Sequence, residues 1–189
     1  MPIESSKTQD AVQAGMVANK QAVDAVGAGG VYSVECVGAD GQVKWSDTFH
    51  NLVMNEGVQD MNTQYFKGAV YTAAFYLGLV TGPGSGTTFA ATDTLASKAW
   101  TENTNYAGSR KAAVFGTANT ANPSVISNSA SPASFAMNAT ATIAGAFLCT
   151  VSSGTSGVLF SAGDFTGGDK FVDSGDTLNV TYTFSLTAT

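Results

Sequence analysis

Apolar and polar residues alternate along several segments of the chain, a spacing that buries one face of a β-strand. Near the C-terminus, every second residue from Leu178 to Leu186 is apolar, and Asn, Thr and Ser stand between them. Residues 31–37 and 43–49 alternate similarly on either side of Gly38-Ala39-Asp40-Gly41. Because Asp-Gly tolerates the positive φ of a tight turn, these two segments predict a hairpin over residues 31–49.

A nearly continuous apolar run, Ala74-Phe75-Tyr76-Leu77-Gly78-Leu79-Val80, predicts a buried strand. A glycine-rich loop follows it at residues 81–88. Shorter strand candidates lie at residues 110–116, 124–128, 135–137, 143–151 and 158–160. Strands at this density, separated by Gly and Ser turns, predict a mainly β fold over residues 31–189. The expected form is an antiparallel β-sandwich or jelly-roll with one short helix.

The helix is predicted over residues 51–66, where apolar side chains recur at helical spacing. They are Met54, Val58, Met61 and Tyr65. A stripe at this spacing is typical of a helix face that packs on the core. Either Asn51 or Asn55 could cap the helix N-terminus, and Lys67-Gly68 favours its end there.

Residues 1–30 are interpreted as a separate N-terminal arm. Their apolar residues make only a thin helical stripe, and the segment ends in Gly27-Ala28-Gly29-Gly30, which predicts a flexible hinge. Two alternatives stay open: the arm orders on a neighbouring subunit, or it is a frayed terminus. Residues 1–7 have neither the basic start nor the apolar run of a signal peptide, so a reducing cytoplasm is the expected compartment.

Charge is scarce in the 189 residues, and this limits the partners. Charged residues make up 12% of the chain, about half of the usual share of roughly 25%. Such a surface suits burial against other protein, although a free domain with a hydroxyl-rich surface is the alternative. The net charge is −6, Arg110 is the only arginine and the seven lysines are scattered, so the sequence offers no cluster of cations and we do not expect direct binding of DNA or RNA. No stretch approaches the 18 or so apolar residues that a membrane span needs.

Candidates for catalysis are few. The single histidine, His50, stands where the hairpin meets the helix, and a Ser or Cys nucleophile would need it as a base. Cys36 and Cys149 lie in alternating apolar segments, where a thiol acts as a small hydrophobe; whether they pair in a disulfide stays open. We therefore expect no enzyme activity, no catalytic residues and no cofactor.

Carboxylates gather in a glycine-rich stretch near the C-terminus, at Asp164, Asp169, Asp173 and Asp176. Oxygen ligands from such a loop could bind a cation, but the spacing matches no EF-hand, and Asp beside Gly is ordinary turn chemistry. No metal site is therefore assigned. A salt bridge between Glu102 and Arg110 that holds a loop is the other expected ionic feature.

Five sets of residues between positions 51 and 183 form a recognisable series. They are Asn51-Leu52-Val53-Met54-Asn55-Glu56-Gly57, Phe75-Tyr76-Leu77-Gly78-Leu79-Val80, Asp93-Thr94-Leu95-Ala96-Ser97, Trp100-Thr101-Glu102 with Tyr106 and Arg110-Lys111-Ala112, and residues 174–183. These segments resemble small structural proteins of tailed bacteriophages. The resemblance covers roughly residues 49–189, and its motifs build the fold rather than any chemistry.

The resemblance implies a virion component without a family site that can be carried over. The first expectation is a capsid cement or decoration protein on the capsid exterior, assembled in the host cytoplasm. It would bind the major capsid protein and neighbouring copies of itself as a homo-oligomer, and so stabilise the head. The alternative is a tail-fibre or receptor-binding module, in which Trp45 or Trp100 could contact sugar. A small glycosidase would need two positioned carboxylates, and no pattern supplies them.

Overall fold

Two antiparallel β-sheets packed face to face confirm the predicted mainly β fold with one short helix. The computed structural model describes residues 26–67, 74–82 and 89–188. Within these ranges the elements are β1 Val26–Val37, β2 Val43–His50, β3 Leu52–Val53, α1 Asn55–Lys67, β4 Tyr76–Thr81, β5 Glu102–Asn103, β6 Lys111–Ala112, β7 Ser124–Ser127, β8 Ala133–Ala136, β9 Ala141–Cys149, β10 Leu159–Asp164, β11 Lys170–Val172 and β12 Thr177–Ala188.

Sheet A is built around the long antiparallel pair of β1 and β12. Their register runs from Val26 opposite Ala188 to Val37 opposite Thr177. Strand β2 pairs with the other edge of β1, and the predicted hairpin between them is confirmed, with Gly41 at φ +80° in the turn. Strands β7 and β8 pair with successive parts of β12.

Sheet B has the order β3-β10-β9-β4-β5, with β11 also paired to β9 and β6 also paired to β4. All of its pairings are antiparallel. Strand β9 is buried along residues 143–149 because both of its faces are covered. The two-sheet arrangement is a β-sandwich.

Two hydrophobic cores explain why sheet B is more apolar than sheet A. The larger core lies between the sheets and includes Tyr32, Phe135, Leu148 and Tyr182. The smaller core lies on the other face of sheet B, where residues 89–100 cover it with Leu95 and Trp100. The near-continuous apolar run around β4 therefore reflects a strand with a core on each side.

Glycine is required at two close approaches. A Cβ on Gly78 in β4 would lie 2.3 Å from the Phe147 ring, so only glycine leaves room for that ring in the smaller core. A Cβ on Gly57 in α1 would lie 2.6 Å from the Phe160 carbonyl oxygen. The helix therefore packs directly against the backbone of β10.

The prediction that the apolar stripe of the helix faces the core is wrong for two of its four residues, Val58 and Tyr65. The helix begins at Asn55 rather than at residue 51, so Met54 lies just before it in the chain. Met54 is buried in the smaller core, and Met61 is partly buried against the larger core. Tyr65 and Val58, in contrast, are exposed. The reason is that Gly57 has the smallest side chain on the helix and allows the closest packing, which turns the face containing Gly57 towards the sandwich.

The predicted hinge at residues 27–30 is also wrong, because those residues are the first part of β1 and pair with β12 from Phe184 to Thr187. Backbone pairing overrides the low strand preference of glycine here. The remainder of the predicted arm, residues 1–25, lies outside the described residues, as does most of the predicted loop at residues 81–88.

Candidate interaction surfaces and polar clusters

A chain of hydroxyl groups joins the two sheets inside the larger core. The Tyr32 and Ser161 hydroxyls lie 2.8 Å apart, and the Ser161 hydroxyl donates to the Tyr182 hydroxyl at 3.3 Å. The Asn51 side chain donates to the Tyr182 hydroxyl at 2.8 Å and accepts from the Gly30 N–H at 2.6 Å. Asn51 is therefore a link between β1 and the core and not a helix cap; the other predicted cap, Asn55, is the first residue of α1.

These hydroxyl groups act as structural hydrogen-bond partners. Burial raises the pKa of Tyr32 and, for the same reason, the pKa of Tyr182. Both phenols therefore stay protonated and act as hydrogen-bond partners. Because each buried oxygen has a partner in the chain, the network holds the sheets together without an unsatisfied polar group.

A second polar cluster closes the end of the sandwich near the β1–β2 turn. The Lys44 ammonium lies 2.8 Å from a carboxylate oxygen of Asp173 and 2.8 Å from one of Asp176. The same Asp176 oxygen accepts from the Asp173 N–H at 2.8 Å and from the Cys36 thiol at 3.7 Å. The cluster ties β2 to the turn before β12.

The charges in this cluster stabilise one another. Burial opposes ionisation of Asp176, but Lys44 and the Asp173 N–H outweigh it, so the pKa of Asp176 lies below its usual value. Hydrogen bonds to Asp173 and Asp176 raise the pKa of Lys44. Burial and then the Asp176 carboxylate raise the pKa of Cys36 to about 12, so this thiol is not a nucleophile near neutral pH.

The four clustered carboxylates fall into two separate places. Asp173 and Asp176 are held by Lys44. At the other place, burial and then the charge of Asp169 raise the pKa of Asp164. Across residues 26–67, 74–82 and 89–188, no group of three or more His, Cys, Asp or Glu side chains could hold a metal ion.

The predicted link between Glu102 and Arg110 is present and is bidentate. The guanidinium donates to the two Glu102 oxygens at 2.8 and 2.6 Å. It also donates to the Val151 carbonyl at 3.2 Å and lies 5.2 Å from the centre of the Phe147 ring. Burial disfavours the charged form of Arg110, but the Glu102 contacts dominate and raise its pKa. The pair anchors the segment between β5 and β6 to the end of β9.

The structure does not bring the remaining residues considered for catalysis or sugar binding together into one site. Cys36 and Cys149 are both buried, and both thiols are free. His50 is exposed at the end of β2. Trp100 is buried in the smaller core, so the suggestion that it contacts sugar is wrong. Trp45 is partly buried, and its indole N–H donates to the Phe171 carbonyl at 3.3 Å.

An exposed aromatic surface on α1 was missed from the sequence. Tyr65 is 83% exposed and Phe66 is 77% exposed, and their rings meet edge to face at 5.0 Å. A shallow groove of about 460 Å³ runs beside them between Val58 and Phe66. We call Val58, Tyr65 and Phe66 the α1 surface. Its signal in the sequence was the adjacent pair Tyr65-Phe66, which cannot both lie on one buried stripe.

Among the helical residues that the structure describes, no segment has the length and hydropathy of a membrane span.

In comparisons with known proteins, no family model, no curated protein and no solved structure matches this chain.

Proposed function

We propose that the protein is a non-enzymatic structural component of a tailed-bacteriophage virion. In this proposal it decorates the outside of the capsid, binds the major capsid protein and stabilises the head. The resemblance in residues 49–189 suggests the virion, and the properties of the α1 surface support a role in binding protein.

The single observation that carries the proposal is the exposure of Tyr65 and Phe66 in the last turn of α1. The first turn of the helix contacts the β10 backbone at Gly57, and the two rings project from the opposite end of the helix. Large exposed apolar groups are typical of protein-binding surfaces, and aromatic residues contribute much of their affinity.

The low charge of the chain supports the same role. A net charge of −6 and a charged share of 12% leave much of the surface to hydroxyl and small apolar side chains. The outward face of sheet A illustrates this, because Ser33 and Thr48 on neighbouring strands are joined through their hydroxyls at 3.1 Å. Such a surface can be buried in an assembly without removing many charges from water.

The experiment is cosedimentation of the purified chain with phage heads from which it is missing, followed by cryo-electron microscopy of the decorated heads. We expect density in a symmetric pattern on the head lattice, with α1 facing the shell. Tyr65→Ser combined with Phe66→Ser should reduce binding at least about tenfold, because two exposed anchors are removed. Phe171→Ser is the matched control, since Phe171 is 58% exposed elsewhere and its loss should leave binding unchanged.

Two outcomes would count against the proposal. Equal loss of binding in the Phe171→Ser control would reject the α1 surface as the specific contact with the shell. Density confined to the tail tip would reject the capsid role and favour the fibre alternative. Trp45, which is partly exposed near the start of β2, would then be the first residue to test for sugar binding.

A further inference from the structure

The edges of sheet A are protected unequally. At the β7 edge, the Gly116 N–H donates to the Ser127 carbonyl at 2.9 Å, and the Asn119 side chain accepts from the Val125 N–H at 2.9 Å. At the β2 edge, the Thr166 hydroxyl donates to the Thr48 carbonyl at 3.1 Å. These contacts occupy backbone groups that would otherwise pair with another strand.

The first part of β1 has no such protection from any described residue. Strand β2 pairs with β1 only from Val31 onward, and the chain then leaves sheet A at Asn51. Asn51 occupies both backbone groups of Gly30, accepting from its N–H at 2.6 Å and donating to its carbonyl at 3.0 Å. Residues 26–29 therefore form an edge that no described residue pairs with, which we call the open edge, and Val26 is 71% exposed.

The direction of the backbone groups on this open edge follows from their neighbours. Ala188, opposite Val26, exchanges both of its backbone hydrogen bonds with the Asn122 side chain, on the side away from β1. The Val26–Ala188 pair is thus a non-hydrogen-bonded pair of the ladder. By alternation, Val26 and Ala28, like Gly30, direct their N–H and C=O groups to the open edge.

We propose that the open edge at residues 26–29 is a self-association site, where the same edge of a second copy adds antiparallel about a two-fold axis through Gly27. Val26 of each copy then lies opposite Ala28 of the other, and these two pairs form four backbone hydrogen bonds. A register centred on Ala28 is excluded, because it would need the Gly30 groups that Asn51 already occupies.

Sequence and charge fit this occupant. Each copy has a net charge of −6, but residues 26–30 and 184–188 contain no charged side chain, so like charges do not meet at the axis. Gly27 and Gly29 present no side chain on the outward face, which lets two strands approach. A two-fold contact of this kind is self-complementary and closed, so it yields dimers rather than fibres. It stands independently of the capsid role, because it concerns the purified chain alone.

Site-directed cross-linking tests the register. Across the axis the two Gly27 residues form a non-hydrogen-bonded pair with Cα atoms about 4.5 Å apart, within the range of a disulfide. Gly27→Cys should therefore give a covalent dimer on mild oxidation. Gly29→Cys is the matched control on the same outward face, and it should give no covalent dimer because its symmetry mate lies about four residues away along the strand. A Cβ has room at both positions, and the native thiols are buried.

Sedimentation velocity of the full chain over a concentration series tests the hydrogen bonds. Ala28→Pro removes the N–H that faces the open edge but no bond to β12, so the fold should melt as before while self-association weakens about tenfold or more. Ala28→Ser keeps that N–H and should associate normally. Equal cross-linking of both cysteine variants, cross-linking of neither, or unchanged association of Ala28→Pro would overturn the proposal. The second of these results is expected if residues 1–25 of the same chain cover the edge.

Discussion

The two ends of the β1–β12 pair share one register and the same alternation of inward and outward side chains, but one end is buried and the other is exposed. In the middle and at the Cys36 end, Tyr32, Val34 and Tyr182 are buried against sheet B. At the Val26 end, residues on the same face are exposed, with Leu186 at 37% and Val26 at 71%. The side chains are equally apolar in both places. What differs is the layer beneath them, because sheet B supports the first region and ends before the second.

This difference separates strand formation from burial. Backbone pairing alone carries β1 and β12 four residues past the core, where side chains contribute little. The last inward ring is Phe184, which is partly buried and meets Phe160 of sheet B edge to face at 5.4 Å. Beyond it, no described residue covers the apolar face.

The largest expected effect comes from placing a charge on each region. Tyr182→Asp puts a carboxylate into the larger core and breaks the hydroxyl chain, so we expect a loss of more than about 4 kcal/mol, enough to unfold the domain. Leu186→Asp, four residues further along β12 and on the same face, should cost less than about 1 kcal/mol. Thermal and urea unfolding of the two variants measure this. Similar losses would show that the two regions do not differ.

Truncation of a valine in each region gives the next largest effect. Val34→Ala removes two buried methyl groups and leaves a cavity, so the free energy of unfolding should fall by about 1.5–3 kcal/mol. Val26→Ala should change it by less than about 0.5 kcal/mol. Urea denaturation of both variants is sufficient, and a cost at Val26 close to that at Val34 would mean that the Val26 end is packed.

Removal of one hydroxyl from the chain between the sheets tests how the buried region is held. Tyr182→Phe leaves the Asn51 amide and the Ser161 hydroxyl short of a partner, so a loss of about 1–3 kcal/mol is expected. Tyr65→Phe, the same change on the exposed α1 surface, is the control and should be neutral. If Tyr182→Phe is also neutral in urea denaturation, the hydroxyl chain adds nothing to stability.

The smallest effect concerns acid stability at the Cys36 end. Because the pKa of Asp176 is lowered in the folded protein, its contribution is present above the unfolded pKa and is lost as pH falls through the folded one. Asp176→Asn should therefore reduce the free energy of unfolding by about 1–2 kcal/mol at neutral pH. In acid the difference in stability between the variant and the native protein should become smaller, because the native carboxylate is then protonated. Asp173→Asn, at an exposed carboxylate, should have less effect. Thermal melting of both proteins from neutral to acidic pH measures this. A difference in melting temperature that is largest in acid would contradict the prediction.

Prediction from the sequence succeeded where local pattern and local contact coincide. The hairpin over residues 31–49 has a turn of suitable residues and a short loop, and it formed as predicted. The bidentate pair of Glu102 and Arg110 lies eight residues apart in the chain and was also expected. Strands β3, β5 and β11, of two or three residues, were not predicted, because segments so short carry no periodicity.

Prediction failed where a distant element decided the outcome. The apolar stripe of α1 was expected to face the core, but the contact between Gly57 and the Phe160 backbone turned Tyr65 outward. The glycines at residues 27–30 predicted a hinge, yet β12 pairs with all of them. In both cases the deciding partner lies more than 90 residues away in the chain.

The sequence by itself determined that the chain forms alternating strands with tight turns, because period-two spacing and Asp-Gly turns act over a few residues. Only the tertiary structure decided which apolar faces are covered. Burial depends on where an opposing sheet ends, and that is set by contacts between segments far apart in the chain. For this reason the α1 surface and the open edge of β1, on which the two proposals rest, became visible only when both sheets were in place.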